Sequence, residues 1–298
     1  MSDQNILKVV SYGEVLWDVF KNEKKIGGAP LNVALRMKSL GCQAGMISCV
    51  GNDLDGKAIL ENIENLGLKT DSIIKSEEYA TGLVQVTLDN NGSASYEIKY
   101  PSAWDKIVLN DAARKIVSEA DVLIYGSLVC RDSVSRLALE ELLQYNVYKV
   151  FDVNLRKPHY NYDLLEKLMH SADLIKFNDE ELLEIAKTLN SPFTSLEDNM
   201  KFFAEITNTR AVCVTKGKHG AALFLNGEMY HNNGYPVTVA DTVGAGDSFL
   251  ASLITFLKTG KSPQESIDFA CAMGALVAQS PGANPEISTE EIKQIMQG

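Results

Sequence analysis

The stretch Asp241-Thr242-Val243-Gly244-Ala245-Gly246-Asp247 holds the residues best suited to chemistry. From Phe249 onward apolar residues recur at helical spacing, so Gly244, Ala245 and Gly246 fall in the loop entering a helix. Small residues there let backbone N–H groups converge on an anion, and the helix dipole adds positive potential. That makes a phosphate cradle without basic side chains. Asp247 lies in the first turn, beside whatever the loop binds. It either caps the helix or takes a proton from a hydroxyl attacking a bound phosphoryl group, and the segment alone leaves both readings open. A dinucleotide site does not fit, because Phe249 stands where the third fingerprint glycine belongs.

A second cluster is Ile26-Gly27-Gly28-Ala29-Pro30-Leu31-Asn32, followed by a helical pattern to Leu40. Gly27 and Gly28 let a polyol approach the backbone closely, and Asn32 offers both donor and acceptor groups. Upstream, Asp18 is either a ligand for two sugar hydroxyls or a solvent-facing turn residue. Asp152, Asn154 and Arg156 alternate at the end of a buried strand, where the ligand crevice of an open α/β sheet lies. Asn178 and Glu181 have capping-box spacing, or else order magnesium-bound water near phosphates. Thr215, Gly217 and Gly220 form a glycine-bearing turn after another strand, a candidate nucleotide contact. A P-loop at 51–58 fails, since Ala58 replaces the metal-binding hydroxyl and Asp53 and Asp55 would repel phosphate.

These residues must be positioned by a scaffold. Short buried apolar runs at 6–11, 44–50, 122–125, 147–153, 174–177 and 211–215 predict strands. Helical periodicity over 54–66, 110–119, 133–145, 162–171, 179–189 and 196–208 alternates with them. The expected fold is α/β, a doubly wound, mostly parallel sheet flanked by helices. Period-two segments at 83–88 and 95–100 flank Asn90-Asn91-Gly92, a hairpin signal that breaks the alternation. The expected organisation is one α/β domain over 1–298 with a small inserted β-sheet lid at about 12–30 and 80–107.

A formal net charge of −11 disfavours nucleic-acid binding. The sequence shows no signal peptide and no run long and apolar enough to span a bilayer, so a cytoplasmic location is expected. The five cysteines are scattered without a Cys-x-x-Cys pair, and the four histidines form no zinc pattern.

The run 27–34, with Gly41 and Gly51 after it, is similar to the N-terminal signature of the ribokinase-like (PfkB) carbohydrate kinases. The run 241–254 is similar to the C-terminal one, with Ser252 where Gly or Ala is usual. The resemblance spans essentially the whole chain and implies an ATP-dependent sugar kinase. It makes Asp247 the general base and Gly244, Ala245 and Gly246 the anion hole, with Asp18, Gly28 and Asn32 on the sugar. It assigns Asn178 and Glu181 to magnesium and phosphate, and Thr215, Gly217 and Gly220 to ATP. It implies a monovalent cation such as potassium at Asp241, Val243 and Gly282. Stretches 13–18, 102–105 and 152–156 look most like fructokinases, while Arg156 would also suit a keto-sugar acid such as 2-keto-3-deoxygluconate. Other expectations are a kinase for ribose, a non-catalytic sugar sensor, and a homodimer formed through the lid.

Overall fold

The computed structural model describes residues 6–88 and 94–297. The chain opens with β1 (Lys8–Tyr12), two short strands β2 (Leu16–Val19) and β3 (Lys24–Gly27), and helix α1 (Ala29–Ser39). Next come β4 (Gln43–Gly51), α2 (Leu54–Asn65), β5 (Ile73–Ser76), β6 (Gly82–Leu88) and β7 (Ala94–Ile98). Alternation then follows through α3 (Asp111–Ser118), β8 (Val122–Gly126), α4 (Ser133–Leu142), β9 (Tyr148–Asp152), α5 (Tyr162–His170) and β10 (Leu174–Asn178). Two helices, α6 (Asp179–Thr188) and α7 (Leu196–Thr207), lead to β11 (Ala211–Thr215). The hairpin β12 (Ala221–Leu225) and β13 (Glu228–Asn232) precedes α8 (Ala245–Lys258), α9 (Pro263–Ala278) and α10 (Thr289–Gln297).

Among the described residues, a nine-stranded sheet runs β13-β12-β11-β10-β9-β8-β1-β4-β5, parallel from β11 to β5. It is the doubly wound, mostly parallel α/β sheet that the alternation predicts. The β12 and β13 edge is antiparallel and was not among the expected strands. Its signal is Asn226-Gly227, with φ of 52° and 93°, the two-residue turn that matches strand twist. A smaller sheet runs β3-β2-β6-β7, with β6 and β7 antiparallel as their alternation predicts. The Asn90-Asn91-Gly92 turn lies outside the described residues. At the end of β4, Asp53 caps α2 by accepting a hydrogen bond from the Gly56 N–H at 2.7 Å, a structural use of the segment that fails as a P-loop.

Strand parity decides which side chains meet which helix. Val10, Tyr12, Leu123, Tyr125, Phe151, Ile175 and Phe177 point to one face, where they pack with residues of α3 to α7. Val9, Val122, Ile124, Val150 and Leu174 point to the other, against Val33 and Met37 of α1 and Leu250, Ala251 and Ile254 of α8. The same parity sends Asp152 and Lys176, two residues beyond Val150 and Leu174, towards α8. Charged groups therefore reach the carboxyl end of the sheet on the face that carries residue 247. Leu250 fixes α8 there and is fully buried. Leu250→Ala is expected to destabilise the fold by roughly 2–5 kcal/mol, measured as a lowered urea midpoint; a shift under about 1 kcal/mol would contradict this anchoring role.

Candidate active site

Helix α8 begins after Gly244, whose φ of 76° and close approach to Ala283 leave no room for a Cβ. The N-cap is Gly244, which has no side chain, and Asp247, at the third helical position, accepts no backbone N–H among the described residues, so it is not a cap. Its Oδ2 instead accepts a hydrogen bond from Asn32 Nδ2 at 2.8 Å. Asn32 Oδ1 accepts from Asn284 Nδ2 at 2.9 Å, which fixes the orientation of the amide. One turn on, Arg36 Nε donates to Ser248 Oγ at 3.0 Å and Nη2 to the Pro285 carbonyl at 3.0 Å. Helix α1 is thus clamped to the start of α8 and to the 284–285 segment. Arg36 and Asn284 escaped the sequence reading: Arg36 lies inside a helical pattern, and the Gly282 turn before Asn284 gives no sign of a partner 252 positions away.

Beneath the Gly246 loop lies a buried ion pair. Lys176 Nζ stands 3.0 Å from Asp152 Oδ1, and the side chains are 8% and 6% exposed. A Cβ built on Gly246 would sit 3.6 Å from that ammonium, so Lys176 lies directly under the glycine loop. Burial lowers the tendency of Lys176 to hold its proton, but Asp152 and Glu181 outweigh this and keep it charged, with its pKa raised. Burial pushes the Asp247 carboxyl up to about 6, and the Asp152 charge adds to this, while Asn32, Lys176 and Arg156 pull it down. Sequence reasoning placed Asp152 at a strand end but gave Lys176 no role. Its signal was a lysine inside an otherwise apolar strand run.

Asn178 and Glu181 form the capping box of α6. Asn178 Oδ1 accepts from the Glu181 N–H at 2.8 Å, and Glu181 Oε2 accepts from the Asn178 N–H at 2.9 Å. Glu181 Oε1 also accepts from the Leu155 N–H at 2.8 Å, tying the 154–156 loop to α6. Thr215 sits beside Asn178 in the β10 and β11 register, with Gly217 and Gly220 in the turn that follows. Asp241 links its own loop to the end of α9: its Oδ1 accepts from the Val243 N–H at 3.0 Å and its Oδ2 from the Gly282 N–H at 3.2 Å. All three residues expected at a cation site are therefore neighbours.

Asp18 lies within β2, not in a turn, and its carboxylate packs over Gly27, where any Cβ would collide with it. Burial raises its carboxyl to about 6, opposed by Arg156. Arg156 is exposed, with Nη1 donating to the Leu155 carbonyl at 2.9 Å. Gly28 is the N-cap of α1 with φ of 113°. Asn154, at φ 37°, lines a cavity of about 20 Å³ with Ser11, Glu14 and Asp152, enough for a water molecule. Glu14 Oε2 and Ser11 Oγ are buried there without partners among the described residues, and burial raises the Glu14 carboxyl to about 7.

The chain matches the pfkB family of carbohydrate kinases over residues 2–290 and belongs to that family. It is a sugar kinase by that membership. A Pyrococcus horikoshii protein named as a sugar kinase is 31% identical over 90% of this chain and 85% of its own. The structure of that archaeal protein in complex with ATP superposes with a TM-score of 0.81 at 28% identity, covering 96% of this chain and 99% of the other. A fructokinase of Solanum tuberosum is 26% identical over 95% of this chain and 93% of its own.

The raised pKa of Asp247 has a stability consequence. The folded state favours the protonated carboxyl, so its contribution is fully present below the ordinary value of 3.8 and is lost as pH rises towards about 6. Above that the ionised carboxylate costs up to about 3 kcal/mol, at 1.36 kcal/mol per pKa unit. Asp247→Asn keeps the shape and an acceptor for Asn32. In urea unfolding the variant is expected to be more stable than the parent at pH 7.5 by up to about that amount, with the gap closing by pH 4. No gain at pH 7.5 would remove the case for a strained, buried carboxylate.

Proposed function

We propose that the protein transfers the γ-phosphoryl group of ATP to the 6-hydroxyl of fructose, giving fructose 6-phosphate and ADP. The observation that carries this reading is Asp247. Its carboxylate is free of capping duty, held by Asn32 against the α8 entrance, and raised to about 6. Such a group is ionised at neutral pH and basic enough to accept a proton. In the proposed step the hydroxyl proton goes to Asp247, the sugar oxygen bonds to phosphorus, and the bond to the ADP oxygen breaks. The N–H groups of Gly244 and Gly246, and that of Ala245 on leaving the Thr242 carbonyl it meets at 3.3 Å, take the charge on the transferred group, with the Lys176 ammonium beneath them.

Asp18, Gly27, Gly28, Asn32, Asn154 and Arg156 would hold the sugar, and Thr215, Gly217 and Gly220 the nucleotide. The ATP-bound archaeal relative supports the choice of phosphoryl donor. Magnesium would enter with the phosphates and neutralise them. Both Glu181 oxygens and Asn178 Oδ1 already accept backbone N–H groups, so these residues suit contact through water and not direct ligation. Potassium would sit by the loop that Asp241 holds, at Val243 and Gly282. The small sheet would act as the lid of a single α/β domain and pair two copies. Five free, buried cysteines suit a reducing, cytoplasmic setting, and no helix among the described residues is long and apolar enough to cross a membrane.

Arg156 supports a second reading, a keto-sugar acid as substrate, because its guanidinium is exposed with one backbone contact. A panel of fructose, ribose, adenosine and 2-keto-3-deoxygluconate, followed by coupled ADP detection with and without potassium, separates the two. Fructose is expected to turn over fastest, and equal rates on ribose or adenosine would overturn the assignment. Asp247→Asn is expected to lower kcat by about two or more decades with ATP binding retained. Parent-like turnover in that variant would remove Asp247 as the base.

A further inference from the structure

A second cavity, of about 310 Å³, lies between the α4 start and the loop after β9, lined by Tyr100, Arg131, Arg136, His159 and Tyr160 among others. No acidic residue lines it. In a chain of net charge −11, a pocket with two arginines, a histidine and no carboxylate is against the trend. Arg131 is built into the wall: its side chain is 3% exposed and its guanidinium lies 4.1 Å from the Trp104 ring centroid. Nε and Nη2 donate to the Asp105 carboxylate at 2.7 and 2.8 Å. The third nitrogen, Nη1, is buried and has no acceptor.

The charges around the cavity do not cancel. Asp105 neutralises Arg131, and Asp132 neutralises Lys106 at 2.6 Å. Arg136 remains, and among the described residues neither it nor His159 makes a side-chain hydrogen bond or ion pair. Burial lowers the His159 pKa, with Arg131 adding to this and Asp105 opposing it, so the imidazole faces an anion as a neutral donor. An arginine fork with a free donor, a second unpaired arginine and an imidazole suit an acceptor-rich group of negative charge.

We propose that this cavity binds a small oxyanion, a phosphate or a carboxylate, at a site separate from the Gly244 to Gly246 loop. Arg136 supplies the charge, Arg131 and His159 the orienting donors. The cavity, at about 310 Å³, has room for a compact anion such as a phosphate monoester or a tricarboxylate.

The test is isothermal titration of the full chain with inorganic phosphate and, separately, with citrate. Saturable binding is expected for one or both, and their relative affinity identifies the preferred oxyanion. Arg136→Gln is expected to weaken it at least about tenfold, the scale of a lost charge-assisted hydrogen bond. His159→Gln provides an independent variant should Arg136→Gln fold poorly, and is expected to weaken binding by a smaller factor. Asp247→Asn is expected to leave unchanged the component of binding that Arg136→Gln weakens, whatever it does to phosphate at the Gly244 to Gly246 loop, so failure of the kinase reading and failure of this one are separable. No saturable binding by either anion, or binding that both cavity variants leave intact, overturns the proposal.

Discussion

One buried ammonium sets the terms for the rest of the site. Lys176 enters from β10 on the α8 side of the sheet, where Asp152 and Asp247 also gather, and Glu181, at the start of α6, acts on it as well. Buried carboxylates of like sign raise one another's pKa, and without a cation they would take up protons or open the fold to water. The 3.0 Å contact with Asp152 leaves the remaining field of Lys176 to Glu181 and Asp247. Asp247 accordingly sits at about 6, above an ordinary carboxyl yet still ionised at neutral pH. The balance depends on parity: a one-residue slip of β9 or β10 would turn Asp152 or Lys176 to the opposite face.

The second constraint is mechanical. Asn32 and Asp247 are 215 positions apart, yet their side chains meet at 2.8 Å. The contact needs α1 and α8 packed side by side over Val9, Val122 and Val150, and it is reinforced by Arg36 on Ser248 and on the Pro285 carbonyl. Glycine is required at 244 because the α8 entrance is left-handed and pressed against Ala283. Hydrophobic burial beneath the two helices thus fixes the geometry of polar groups above them.

Charge is handled by different means in two places. At the α8 entrance an acidic protein presents backbone N–H groups and one buried lysine, so that little net positive charge is needed. At the second cavity it presents the Arg131 guanidinium, held by Asp105 and by stacking on Trp104, with Arg136 beside it. The first arrangement suits a phosphoryl group that comes and goes during turnover; the second suits an anion held against a rigid wall.

Much of this was legible in the chain itself. Hydrophobic periodicity gave the alternating strands and helices, the glycine-bearing loops gave the α8 entrance and the start of α1, and the capping box of Asn178 and Glu181 could be read from spacing. The β12 and β13 hairpin was equally legible in Asn226-Gly227. Local patterns carry these features because backbone conformation is set by neighbours in sequence. They could not say whether Asp247 caps its helix or stands free, since that depends on Asn32 arriving from a distant helix. A lysine in an apolar strand run marked Lys176 without giving its role, and local patterns could not reveal Arg36, Asn284 or the Arg131 cavity, whose partners come from separate elements. The sequence by itself determined the parallel centre of the sheet, most of its helices and many of the residues able to do chemistry, while β5, the β12 and β13 edge, α9 and α10 came from the structure. Only the tertiary structure decided which of those residues share one low-dielectric space, because pKa values and hydrogen-bond partners follow distance in space, not along the chain.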